Sequence, residues 1–147
     1  MAKSFEAPEQ PTFYFIGVTT ARSAARRVFP VWMQTLGRPD VQLVGLDFPL
    51  HDDPANYRAC VEFLKREPLA LGALVTTHKI DLYDAAHDLF DELEPYAALL
   101  GEVSSIANRN GRLLGKATDP TAGGSSLDRL TGPGYFAGEA PDGLTTV

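Results

Sequence analysis

The sequence predicts an α/β fold, a three-layer α/β/α sandwich with a mostly parallel sheet and a C-terminal antiparallel hairpin element. Three observations carry this. Short runs of almost wholly apolar residues read as strands buried on both faces, the mark of a parallel sheet. The stretches between them read as helices, and strand–helix alternation demands crossover connections. Late in the chain, two strand patterns meet at Asn110-Gly111, a strong short-range hairpin signal.

Each element follows in order. Thr12 to Val18 reads as a first buried strand, Val41 to Phe48 as a second and Leu71 to Thr76 as a third. Between the first two, Ser23 to Leu36 reads as a helix with Val28, Val31, Trp32 and Thr35 on one stripe. Pro30 falls inside it and removes one backbone bond, so a kink or a late start is expected. Asp53-Pro54 opens the next helix as N-cap and first residue, and Tyr57, Cys60, Val61 and Leu64 give it an apolar face. That helix stops before Pro68. Further helices are expected from about His78 to Leu89 and about Leu93 to Leu100. Val103 to Arg109 and Arg112 to Lys116 form the hairpin, and a last helix runs from about Thr121 to Leu130.

Composition excludes several classes. A chain of 147 residues is one domain by length, and 44% hydrophobic with 22% charged residues is ordinary for a globular one. No apolar run is long enough to span a membrane. The net charge of −6 disfavours nucleic acid and anionic lipid. Arg22, Arg26 and Arg27 form a basic cluster too small to reverse that. Residues 1–11 carry Glu6 and Glu9 without an apolar core, so they read as a flexible leader rather than a secretory signal. One cysteine, Cys60, permits no internal disulfide, and the cytoplasm is the expected compartment. His51, His78 and His87 lack zinc-ligand spacing, so no metal is expected, and His78 reads as a bystander at the edge of a cleft.

Open parallel sheets bind ligands beyond the carboxyl ends of their strands. That rule gathers Thr19, Thr20, Thr76, Thr77, Lys79 and Asp119 near one crevice. A lysine there can pass a proton to a substrate hydroxyl, and an aspartate can accept from a neighbouring hydroxyl. Taken singly, Lys79 reads as a solvated first-turn lysine and Asp119 as a helix N-cap before Pro120. Taken together, in this order and on these elements, they read as a site.

The chain also resembles the substrate-binding domain of the shikimate dehydrogenases, as a divergent member, over about residues 12–130. Strand, Gly17 and Ser23 fit that family's opening strand, glycine and Ser-x-Ser-Pro stretch. Its Asn-Val-Thr-x-Pro-x-Lys becomes Ala73-Leu74-Val75-Thr76-Thr77-His78-Lys79. Its Gly-Ala-Val-Asn-Thr becomes Gly101-Glu102-Val103-Ser104-Ser105, and its Asn-Thr-Asp-x-x-Gly becomes Ala117-Thr118-Asp119-Pro120-Thr121-Ala122, with Gly123 one place late. Ala25, Val75, Ala73 and Ser104 stand where the family carries groups that hold the shikimate carboxylate and ring hydroxyls.

The resemblance implies the substrate-binding half of an NADP-dependent shikimate- or quinate-dehydrogenase-like oxidoreductase, reducing a keto group on a cyclic carboxylic acid. Lys79 and Asp119 are the implied catalytic pair. Ser23, Thr76, Ser104, Ser105 and Arg22 are the remaining candidates for substrate contact, with Arg22 read more readily as a solvent-facing arginine. No stretch carries a dinucleotide fingerprint, so NADP is expected on a following C-terminal Rossmann domain and not on this chain. Residues 131–147, rich in glycine and proline, read as a linker toward that domain, closing on Leu144–Val147 as the opening of a strand. A different reading is a stand-alone, non-catalytic small-molecule binding module of the same fold.

Overall fold

The computed structural model describes residues 2–132, in two compact units: one up to Ala117 and one from Thr118 onward. The first unit is a mixed six-stranded sheet in the order β2-β1-β3-β5-β6-β4. Its strands are β1 (Thr12–Gly17), β2 (Gln42–Asp47), β3 (Ala70–Val75), β4 (Glu92–Leu93), β5 (Ser105–Arg109) and β6 (Arg112–Lys116). The helices are α1 (Ala25–Thr35), α2 (Pro54–Arg66), α3 (Lys79–Ala86) and α4 (Pro95–Leu100). The second unit is described by α5 (Asp119–Thr131). Most of the linker stretch, with Leu144–Val147, lies outside the described residues.

The three apolar strands run parallel, as expected: β1 pairs with β2 and with β3. β5 is the one reversed strand. It pairs antiparallel with both β3 and β6, while β4 lies parallel to β6 at the edge. The hairpin turns at Asn110, with φ of 55°, and Gly111, with φ of 84°, the left-handed pair that a type I′ turn requires. β4 was not readable from sequence. Its two residues have no apolar run, and it exists because Glu94 N–H and Asp91 N–H donate to carbonyls of β6.

The core lies on one face of the sheet, under α2 and α3. Tyr14, Ile16, Ala73, Val75, Ile106 and Leu113 from the strands meet Tyr57, Cys60, Val61, Leu64, Leu82 and Ala86 from the helices. α2 starts as its sequence dictates: the Asp53 carboxylate accepts from Ala55 N–H at 2.9 Å, with Pro54 as first residue. Cys60 is a core residue, and burial pushes its thiol up to about 12. Lys3 and Phe5 tie the leader to this face. The Phe5 ring packs on Phe48 and Phe63, and Lys3 Nζ stands 4.3 Å over the Phe48 ring.

The opposite face is covered by α1, and here the structure departs from the sequence pattern. The stripe Val28, Val31 and Trp32 is exposed, Val31 and Trp32 by nearly 60%. Phe29 is buried instead, stacked on Phe13 at 5.7 Å. The helix is rotated so that Ala25, Phe29, Trp32 and Met33 line an open apolar groove of about 460 Å³ over Phe13, Leu43, Leu71 and Leu74. Phe29 and Trp32 share the groove side of the helix, and two aromatic side chains there outweigh the two valines, because aromatic rings bury far more area per side chain.

Gly72 fixes the join between the parallel and antiparallel halves. Its φ of 149° is poorly open to L-residues, and a Cβ there would run into the Ile106 carbonyl on β5. Gly72→Ala is expected to cost about 2–4 kcal/mol in urea unfolding, since backbone on both sides cannot yield. An unchanged midpoint would show that β5 can shift away.

Candidate functional site

Strand register decides which residues share one end of the sheet. Gly17 pairs with Asp47 and Ile16 with Val75, so β1, β2 and β3 finish together. Leu74 pairs with Ser105, and Ser105 with Lys116, so β5 begins and β6 finishes at that same end. Thr76, Lys79, Ser104 and Ser105 therefore converge by backbone geometry alone. The turn after β1, carrying Arg22 and Ser23, leaves from the same edge.

Hydrogen bonds fix each position. Thr76 N–H donates to the Ile16 carbonyl at 3.0 Å and its hydroxyl to the same oxygen at 3.1 Å. The preceding residue, Val75, donates its N–H in the opposite direction, to Ser104 O at 2.8 Å. Lys79 opens α3, half-buried, and its carbonyl accepts from Val103 N–H at 3.1 Å. Ser104 is buried, and its hydroxyl donates to the Lys116 carbonyl at 3.2 Å. Ser105 is half-buried between Leu74 and Lys116. Ser23 is half-buried, with its oxygen accepting from Ala25 N–H at 3.2 Å at the start of α1, while Arg22 is exposed. Asp119 is the first residue of α5, two residues along the chain from Ala117.

Two features at this end go beyond the sequence reading. The Thr20 turn is fastened to β2: Thr20 N–H donates to Asp47 Oδ1 at 2.9 Å. Thr20 is buried, and Gly45 makes room for it, because a Cβ at that position would strike the Thr20 hydroxyl. Hydrogen bonds from the Thr20 hydroxyl and N–H hold the Asp47 carboxyl below the usual carboxylate range, with Lys3 and Arg26 adding to the effect. A charged residue closing an otherwise apolar strand was the available signal.

His78 is the second. It does not border the cleft. It is fully buried, with Nδ1 2.9 Å from the Tyr57 hydroxyl and its ring against Phe48. The sequence hid this because a histidine before a helix is more often wet than buried. Among the described residues, no group of three His, Cys, Asp or Glu side chains is placed to hold a metal ion, and no helix is long and apolar enough to cross a membrane.

Neither a family model nor a curated protein matches the chain. Solved structures do. Shikimate 5-dehydrogenase from Thermus thermophilus, solved with NADP(H) and shikimate, aligns with a TM-score of 0.65 at 22% identity, over 83% of this chain and 43% of that one. The Listeria monocytogenes enzyme, solved with shikimate and NAD, gives 0.67 at 20%, over 87% and 42%. The fold is that of the shikimate dehydrogenase substrate-binding domain. 5-Ketofructose reductase of a Gluconobacter species shares it, with 0.65 at 21%, over 88% and 43%. The chain thus spans about two fifths of the length of these solved proteins.

The Thr20–Asp47 link has a definite pH dependence. The folded-state value of Asp47 is depressed, so its stabilisation is complete above the unfolded carboxylate value and is lost as pH falls through the folded one. The Thr20 amide resonance should hold steady from neutral pH to about 5 and move only below the ordinary aspartate value of about 4. In Asp47→Asn that acid transition should vanish from the Thr20 signal. Its persistence would assign the transition to another group.

Proposed function

We propose that this chain is the substrate-binding half of an NADP-dependent oxidoreductase of the shikimate dehydrogenase type, acting on a cyclic hydroxy acid other than shikimate. The supporting observation is the shared sheet end of the first unit, where Lys79, Thr76 and the Ser104–Ser105 pair meet. The nicotinamide of a separate dinucleotide-binding domain supplies the hydride. The coverage of about two fifths of the solved dehydrogenases favours such a second domain.

In this reading residues 12–130 bind the substrate and residues 131–147 lead toward the cofactor domain. Reduction places a hydride on the carbonyl carbon and leaves an electron pair on oxygen. Lys79 Nζ–H gives its proton to that oxygen and takes it back in the oxidative direction. The resemblance to the shikimate dehydrogenases assigns Asp119 the part of accepting a hydrogen bond from the neighbouring hydroxyl. Ser23 and Ser105 offer hydroxyl protons, Thr76, whose proton goes to Ile16 O, offers lone pairs, and Arg22 offers a charge for the substrate carboxylate.

The choice of substrate rests on what the sheet end lacks. Ala73 and Val75 face the core, and Ser104 spends its hydroxyl on Lys116 O. Each missing hydrogen bond costs about 1 kcal/mol, roughly fivefold in affinity. A neighbour named for 5-ketofructose supports the idea that this fold serves substrates besides shikimate.

Shikimate should therefore bind this chain only in the millimolar range or weaker by titration calorimetry. Micromolar binding would show that the altered positions do not govern recognition. The 147-residue chain alone should not oxidise NADPH with keto acids, because nothing in its sequence resembles a pyrophosphate-binding glycine turn. A longer chain that carries the cofactor domain should turn over, and Lys79→Ala should lower its kcat by about 10²–10⁴. NADPH oxidation by the short chain above a Lys79→Ala control overturns the two-domain reading.

A further inference from the structure

We propose that the buried Tyr57–His78 pair is a positioning device for Lys79, holding the first turn of α3 against the loop that follows β2. The inference rests on the reading of Lys79 as the proton-transfer group, and it adds two residues that no resemblance assigns.

Tyr57 and His78 are both buried, and they join three separate segments. The Tyr57 hydroxyl, on the first turn of α2, lies 2.9 Å from His78 Nδ1. It also accepts from Asp52 N–H at 3.2 Å, while the Pro49 carbonyl stands at a long 3.4 Å. With one lone pair serving Asp52, the short contact to His78 is the better home for the phenolic proton. Phe48 closes the cluster, stacked on Tyr57 at 5.3 Å and edge-on to His78 at 6.0 Å.

His78 immediately precedes Lys79, so what fixes its ring fixes the chain entering α3. Its carbonyl takes Leu82 N–H at 2.9 Å, the first hydrogen bond of the helix. From the other side, Val103 N–H holds the Lys79 carbonyl at 3.1 Å. Lys79 is thus bracketed, with an imidazole anchored in the core before it and the strand-entry backbone on its own carbonyl. The exposed His51–Asp81 pair crosses the same loop and helix, but at 86% exposure of His51 it adds little.

Packing alone does not account for an imidazole here. Nε2 is buried with no hydrogen-bond partner among the described residues, which is costly. Phenylalanine would fill the space between Phe48 and Tyr57 without that cost. What the imidazole adds over phenyl is the bond to Tyr57, and the feature that bond fixes in space is the start of α3.

The test is the rate of modification of each lysine in the full 147-residue chain by an amine-selective reagent, read by mass spectrometry. Lys65 and Lys116 are internal controls. In Tyr57→Phe and in His78→Phe, the Lys79 rate should change by about threefold or more, the size expected when a local opening is eased by the loss of one hydrogen bond. The controls should hold, the double variant should add nothing beyond either single one, and His78→Asn, which keeps an acceptor near the Nδ1 position, should restore much of the wild-type rate. If His78→Phe does not fold, Tyr57→Phe carries the test. Unchanged Lys79 rates, or rates at Lys79, Lys65 and Lys116 that move together with a fall in Tm, would reduce the pair to core packing and overturn the proposal. No turnover or ligand enters this measurement, so a failed NADPH assay in a longer chain would count against the proposed reaction and leave the lysine rates as they are.

Discussion

Two adjacent amides at the end of β3 hold the candidate site together. Val75 N–H reaches sideways to Ser104 O, and Thr76 N–H reaches the other way to Ile16 O. Backbone donors on successive residues of a strand alternate in direction, so β3 can bond a parallel neighbour and an antiparallel one at the same level. That level is where the sheet changes character. On one side lie the apolar strands β1 and β2, and on the other the reversed β5 and its hairpin partner. Remove either bond and the two halves of the site lose their common height. Gly72 serves the same join from within the strand, since only a residue without Cβ lets β5 come so close.

The face of the sheet under α2 and α3 has a dense aromatic and aliphatic core, whereas the face under α1 keeps an open groove with a half-exposed Trp32 in its wall and leaves Val31 outside. Candidate polar residues stand on neither face. They stand at the sheet end, where loops replace packing and a change of side chain costs little fold stability. This separation lets side chains at the sheet end vary while the scaffold aligns over more than four fifths of the chain. Only 22% identity accompanies that alignment with the Thermus thermophilus enzyme.

Much of this was legible in the sequence, for identifiable reasons. β1, β2 and β3 are apolar runs bounded by polar residues, and the Asn-Gly turn has one favoured geometry, so boundaries fell within a residue or so. The rule that ligands lie beyond carboxyl strand ends then drew attention to Thr76 and Lys79, which follow the end of β3. What stayed hidden depended on partners distant in sequence. β4 exists through carbonyls of β6, more than 20 residues away. The Ser104 hydroxyl is taken up by Lys116 O, and His78 is buried because Tyr57 and Phe48 enclose it. The rotation of α1 was decided by a single Phe13–Phe29 stack, which no period-3.6 count weighs.

The order of strands across the sheet also has a consequence for synthesis. β1 is flanked by β2 and β3, whose first residues come 30 and 58 positions after Thr12. At roughly 5–20 residues per second, Thr12–Gly17 emerges from the ribosome seconds before its second neighbour exists. Through that interval Phe13, Phe15 and Ile16 form an apolar strand with at least one open edge, the kind of segment that pairs with other chains. A nascent chain stalled anywhere before Ala70 leaves β1, an interior strand of the finished sheet, with an exposed border.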